Sequence, residues 1–347
     1  MNVKQFGFTK GRSTTEAGVE LIQQIFGAWE DSWDAIGVFC VLSKAFDCVH
    51  HDTLIRKLHH YAVMGRSLGL LESYLSDRIQ RVDINGERSS GSAVNMGMPQ
   101  GSVLGPFLIL VYINDLPHLV KNGHGIVLFA DDTSLLFKID RHKPAFDEVN
   151  STISEIVKWF SINNLLLNER KTIIVKFSLS DSKLIDTNVM VKNEVLDIVD
   201  TTLFLGLTLD SKLRWNSHIT RLEKRLSSAA HAVKRIRRLT NENTARLVYF
   251  SCFHSLMTYG ILLWGHAADI NTIFMLQKRA IRAVYDLRPM TSLKEKFKEI
   301  NILTLASQYI HENLVYVKRN IKSFHKRSDI QTLILDIRMI LLLTRLI

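Results

Sequence analysis

Residues 125–137 (GIVLFADDTSLLF) constrain the fold most tightly. Two apolar runs of strand length meet at Asp131-Asp132, so the chain must make a strand, a sharp bend and a second strand. Neighbouring carboxylates at such a bend repel each other and are unfavourable unless something neutralises them. A divalent cation does this well. Mg²⁺ prefers oxygen ligands and keeps positions open for water and substrate phosphate, which suits phosphoryl transfer. Taken alone, an Asp-Asp dipeptide reads first as a solvated turn that binds nothing, so its surroundings must decide.

Those surroundings are a folded chain. With 347 residues, 46% of them apolar, and only 5 prolines and 17 glycines, two or three lobes with a real core are expected, and a disulfide-held mini-protein is excluded. Cys40, Cys48 and Cys252 form no C-x-x-C pair, which suggests neither a disulfide framework nor a thiolate zinc site and fits a reducing, intracellular compartment. Lys4, Lys10, Arg12, Glu16 and Glu20 interrupt the N-terminal stretch, so it does not read as a signal peptide. The apolar run 331–347 carries Asp336, Arg338 and Arg345 and reads as an amphipathic tail, with membrane anchoring second.

The positive excess has a location. The chain holds 44 Lys and Arg against 34 Asp and Glu, a net +10. Arg221, Lys224, Arg225, Lys234, Arg235, Arg237 and Arg238 crowd into 221–238 against Glu223 alone. Such a face attracts polyphosphate by counterion release, or is simply a solvated helix surface.

The periodicity predicts a buried central strand at 35–42 and two helices within 51–77 broken near Gly65. A hairpin follows about Asn85-Gly86, then the loop GMPQG (97–101) and an apolar helix ending near Pro117. A helix over 144–163 should pack Trp159 and Phe160 inward. Strands are expected near 172–178 and 203–209, and helices from 216 onward. The order is α+β, followed by an α-helical lobe.

Seven segments occur in the order found in the reverse transcriptases of non-LTR retrotransposons, the jockey-like and LINE-type elements: QFGFTKGRST (5–14), LSKAFDCVHHDTL (42–54), GMPQGSVLGPFLILVYINDLP (97–117), LFADDTSLLF (128–137), NNLLLNERKT (163–172), FLGLTLDSKLRWNSHI (204–219) and YGILLWG (259–265). The chain resembles that family over roughly residues 5–288. The resemblance implies a right-hand polymerase palm with partial fingers, followed by an α-helical thumb. Residues 1–34 would be partial fingers, 35–202 the palm with finger elements, 203–219 a primer-grip hairpin and 220–288 the thumb. Residues 289–347 would be a helical extension of unknown role.

The reaction implied is RNA-templated DNA synthesis from deoxynucleoside triphosphates, with an RNA template and DNA primer as partners, no membrane, and a place in nucleus and cytoplasm. By the same resemblance Asp131 and Asp132 would hold two Mg²⁺ that activate the primer 3′-hydroxyl and stabilise pyrophosphate in an in-line attack. Lys171 matches a lysine near the leaving pyrophosphate, as proton donor or charge screen; taken singly it reads as a surface lysine. Phe46 matches the bulky residue that closes the nucleotide pocket against a 2′-hydroxyl. Gln100 and Gly101 belong to the loop supporting template base and nucleotide; by composition that loop is an ordinary helix cap. Phe204, Leu205 and Gly206 match the hairpin gripping the primer terminus, and Lys224, Arg225, Lys234 and Arg235 would hold phosphates without reading sequence. Trp159, Trp215 and Trp264 are expected as core anchors. The histidines, lacking ligand spacing, are assigned no metal.

Two departures stand out. The family's first palm motif has the form F-x-D-L-S-K-A-F-D, whereas here Val41 occupies the position of the first aspartate. Asp47 would lie about 20 Å further on if extended, and Asp34 at the opposite strand end. The fold should tolerate valine; a two-metal site, short of one carboxylate, should not, so severe loss of activity is expected. The family also continues upstream with basic finger residues and commonly an endonuclease, so the chain reads as a truncated element copy. A non-catalytic nucleic-acid-binding protein that keeps the fold is the alternative. A group II intron-type enzyme fits the segments 204–219 and 259–265 less well.

Overall fold

The alternation along 125–139 and the unbroken apolar run at 35–40 meet in one sheet. The structure, a computed structural model, describes residues 1–99, 101–120, 123–141, 146–180, 189–191, 194–196 and 198–321. The chain divides into two units, 1–202 and 203–347.

In the first unit, strands β1 (Asp34–Cys40), β2 (Gly125–Phe129), β3 (Asp132–Ile139) and β4 (Ile173–Phe177) form an antiparallel sheet in the order β4-β1-β3-β2. Every residue of β1 is buried, as expected of a central strand covered on both faces. Helices α1 (Thr14–Glu30), α2 (His51–His60), α3 (Gly65–Leu75), α4 (Leu104–Tyr112) and α5 (Phe146–Ile162) surround it. Ile36, Val38 and Cys40 of β1 and Leu135, Phe137 and Ile139 of β3 point to one face, into a core shared with α2, α4 and α5. The other face is covered by α1, which packs on β2, β1 and β3 and ties Asp31 to Lys138 at 3.2 Å. Ser13 starts α1, its hydroxyl accepting from the Glu16 N–H at 3.2 Å. The Asn85-Gly86 turn forms as expected, with both residues at positive φ, on an exposed ribbon.

A buried carboxylate anchors the far end of β1. Asp34 accepts from Ser178 Oγ (2.7 Å) and Arg141 Nε (2.7 Å), with Lys176 Nζ at 3.2 Å. Burial alone would raise its pKa, but the bonds from Ser178, Arg141 and Lys176 together hold it below the ordinary carboxylate value.

Trp159 packs inward against the core, as expected, but is not fully enclosed. Phe160 is buried, but Trp159 is half-buried. Its indole N–H donates to Asp115 at 3.3 Å, and the Lys57 ammonium sits 4.6 Å from its ring centroid. Adjacent helical residues are rotated by roughly 100°, so Trp159 packs at the edge of the core in which Phe160 is buried. Trp159 therefore closes a polar cluster in which Lys57 also donates to Asp115 (2.8 Å) and the Tyr112 carbonyl (2.6 Å).

In the second unit, a hairpin of β5 (Thr201–Phe204) and β6 (Leu207–Asp210) leads into α6 (Asn216–Leu239), α7 (Glu242–Val248), a π-helical turn at Tyr249–His254, then α8 (Ile270–Val284) and α9 (Leu305–Asn320), with short helical turns between them. Trp215 and Trp264 are buried here, as expected, with the His218 ring 5.9 and 5.7 Å from theirs. Among the described residues no helix is long and apolar enough to cross a membrane. The tail at 331–347 lies outside the described residues.

Candidate active site

The bend of the β2–β3 hairpin is local in origin. Phe129 pairs with Asp132, leaving Ala130 and Asp131 as the two-residue turn, and Ala130 takes a left-handed φ of 53°. An alanine pays a steric penalty in that conformation, so something must hold it there. Gln5 does. Its buried side chain accepts from the Ala130 N–H at 3.0 Å and donates to the Ala130 carbonyl at 3.4 Å.

The turn leaves Asp131 half-buried and Asp132 exposed. Although solvent reaches Asp132, crowding by protein around its carboxyl, and then the charge of Asp131, push its pKa above the ordinary value. Among the described residues neither carboxylate takes a hydrogen bond or an ion pair, and no three potential ligands cluster as a metal site.

Val41, expected at the position of the family's first palm aspartate, follows directly on β1. Cys40 pairs with Thr133 across β1 and β3, so the next step of the register brings Val41 abreast of Asp132. The Val41 carbonyl accepts from Asn168 N–H at 2.8 Å, and its N–H reaches Thr172 Oγ1 at 3.5 Å. Asp34 stands opposite Ile139 at the other end of the strand, and Asp47 lies past a turn in which Lys44 has a φ of 49°. The oxygen donors of Asp131 and Asp132 are of the type that suits a divalent cation.

The other expected residues fall into separate groups. Lys171 is exposed, in a turn whose first residue, Asn168, is the one bonded to Val41. Phe46 is half-buried, edge-on to Phe8 with ring centroids 6.5 Å apart, and its carbonyl accepts from the Met98 N–H at 2.8 Å. That bond joins the Phe46 turn to the 97–101 loop, in which Gly101 has a φ of 78°; Gln100 lies outside the described residues.

In the second unit, Phe204 is buried, and Leu205 and Gly206 form a turn with positive φ at both, the Leu205 carbonyl accepting from the Tyr259 hydroxyl. Lys224, Arg225, Lys234 and Arg235 are all exposed on α6, together with Arg221 and Arg238. Arg237 leaves that face: it is half-buried and donates to the carbonyls of Val284 and Thr240.

Residues 1–209 match the family described as reverse transcriptase (RNA-dependent DNA polymerase). The chain belongs to that family. The chain is 30% identical over 329 residues to the "Probable RNA-directed DNA polymerase from transposon BS" of Drosophila melanogaster, covering 91% of this chain and 36% of the relative. It is 27% identical over 293 residues to the RNA-directed DNA polymerase from the mobile element jockey of the same organism, covering 81% and 31%. These relatives bear out the jockey-like, non-LTR kinship implied by the motifs, and the chain spans about a third of their length. Among solved structures, apo telomerase from Candida tropicalis aligns with a TM-score of 0.47 at 10% identity, over 95% of this chain and 57% of that one.

Proposed function

We propose that this chain is the polymerase part of a non-LTR retrotransposon reverse transcriptase, built to extend a DNA primer on an RNA template from deoxynucleoside triphosphates and weakened at residue 41. The observation that carries the reading is the pair Asp131-Asp132, set side by side on a braced turn abreast of Val41, in a chain of this family. Asp131 and Asp132 would hold a divalent cation, Mg²⁺ by family habit, which when bound activates the primer hydroxyl and offsets charge on the leaving pyrophosphate.

The chain's own residues supply the rest. Lys171, exposed beside the Val41 strand end, is suited to screen or protonate pyrophosphate. Phe46, steadied by Phe8 and by its bond to Met98, is placed to reject a ribose 2′-hydroxyl by steric clash, with Gln100 and Gly101 supporting the base pair. The first unit then acts as palm with partial fingers and the second as thumb. Phe204, Leu205 and Gly206 grip the primer end, and Lys224, Arg225, Lys234 and Arg235 bind phosphate.

Val41 favours a second reading, a nucleic-acid-binding protein that keeps the fold without catalysis. Primer extension on an RNA template separates the two. The parent chain should give little product, Val41→Asp should give Mg²⁺-dependent product, and Asp131→Ala in that background should abolish it. Salt-dependent RNA binding with no synthesis in either chain would favour the second reading.

A further inference from the structure

Gln5 and Gly7 come from the start of the chain, yet both act on Ala130, far along it. Residues 4–7 run parallel to β2, with Phe6 N–H donating to the Leu128 carbonyl (2.8 Å) and Leu128 N–H to the Lys4 carbonyl (3.0 Å). Gln5 Oε1 accepts from both the Ala130 N–H (3.0 Å) and the Gly7 N–H (2.8 Å), while Nε2 donates to the Ala130 carbonyl (3.4 Å). Gly7 lies against the Phe129–Ala130 peptide, since a Cβ there would come within 2.2 Å of the Ala130 nitrogen.

The chemistry of this contact is specific. Ala130 is buried and left-handed, so its N–H has neither water nor a regular strand partner, and an unmet buried N–H is costly. A primary amide is a neutral side chain that offers acceptor and donor together at one end. Glutamine at position 5 therefore meets both polar groups of the residue that turns the chain into Asp131 and Asp132.

We propose that Gln5 is a positioning residue of the carboxylate site: by clamping both backbone polar groups of Ala130 it sets the direction in which Asp131 and Asp132 present their oxygens to a cation. This rests on the reading that those two aspartates bind a divalent cation. Gly7 completes the clamp by allowing the strand to lie against the turn.

The test uses the full chain, and Mn²⁺ alone as the probe. Gln5→Met keeps length but loses both kinds of hydrogen bond; Gln5→Glu keeps an accepting oxygen. Hydrogen exchange at the Ala130 amide should rise roughly tenfold in Gln5→Met, the loss of about one hydrogen bond. Mn²⁺ affinity, followed by electron paramagnetic resonance, should fall about fivefold, with the thermal midpoint moved by only about 2 °C. In the Val41→Asp background the same change should lower kcat about tenfold and leave KM for the nucleotide within about twofold. Gln5→Glu, which keeps the acceptor but loses the donor and buries a charge, should restore protection at the Ala130 amide only in part. Unchanged Ala130 exchange, or unchanged Mn²⁺ affinity, in Gln5→Met overturns the proposal. Should neither the parent nor Val41→Asp bind Mn²⁺, the polymerase reading fails on its own, and the exchange result alone decides whether Gln5 holds the turn.

Discussion

Cys40 sits directly across from Thr133, and that pairing carries Val41 to the side of Asp132. On the proposed reading, an isopropyl group thus stands where a third oxygen donor would complete the site. Val41 is half-buried at a strand end, so an aspartate there can reach solvent or a cation without entering the core. Val41→Asp should raise Mg²⁺-dependent primer extension by roughly 100-fold or more, about 2.7 kcal/mol of barrier. Equal rates for the parent and the variant would show that Val41 is no handicap.

The Asp131-Asp132 pair should leave a signature in pH-dependent stability. The folded pKa of Asp132 is raised, so between the unfolded value of 3.8 and that raised value the native state binds more protons than the unfolded chain. Stability contributed by this group therefore falls as pH rises through the window, and is regained on acidification. Asp132→Asn should increase the melting temperature at pH 7 by about 1–2 °C, and the gain should vanish near pH 4. A gain that persists at low pH would locate its cause elsewhere.

The opposite end of β1 should respond with the opposite sign. Asp34 has a lowered folded pKa, so its contribution is fully present above 3.8 and is lost as pH falls through the depressed value. Replacing it strands Arg141 and Lys176 without their shared carboxylate. Asp34→Ala should destabilise the first unit by about 3 kcal/mol. Urea unfolding followed by hydrogen exchange in β1 and β4 measures this, and a loss below about 1 kcal/mol would rule out a structural role of that size.

The face of α6 should bind nucleic acid through charge alone. Changing Lys224, Arg225, Lys234 and Arg235 together to alanine should reduce the slope of log affinity against log salt by roughly 3 and weaken different RNA sequences equally. All four are exposed, so the melting temperature should barely move. An unchanged salt slope would leave the stretch as an ordinary solvated helix face.

Much of the fold was readable because its signals are local. The apolar runs on either side of Asp131-Asp132, the Asn85-Gly86 turn and the apolar 35–40 strand each declare their geometry within a few residues, and all three form. Trp159 packs against the core as its pattern implies, but its bonds to Asp115 and Lys57, partners far away in sequence, could not be read from that pattern. Arg237 likewise counts with its basic neighbours in composition, yet bends toward Val284 and Thr240.

What the sequence by itself determined is which residues bear charge, where strands and turns form, and that valine holds position 41. Only tertiary structure decided what stands next to what. Strand register brought Val41 abreast of Asp132, and a parallel contact laid Gln5 and Gly7 against Ala130. The reason is physical: turn and strand preferences act through a residue's own backbone and near neighbours, whereas a cross-strand neighbour or a side chain bonded to a distant peptide exists only once the intervening chain has collapsed and paired.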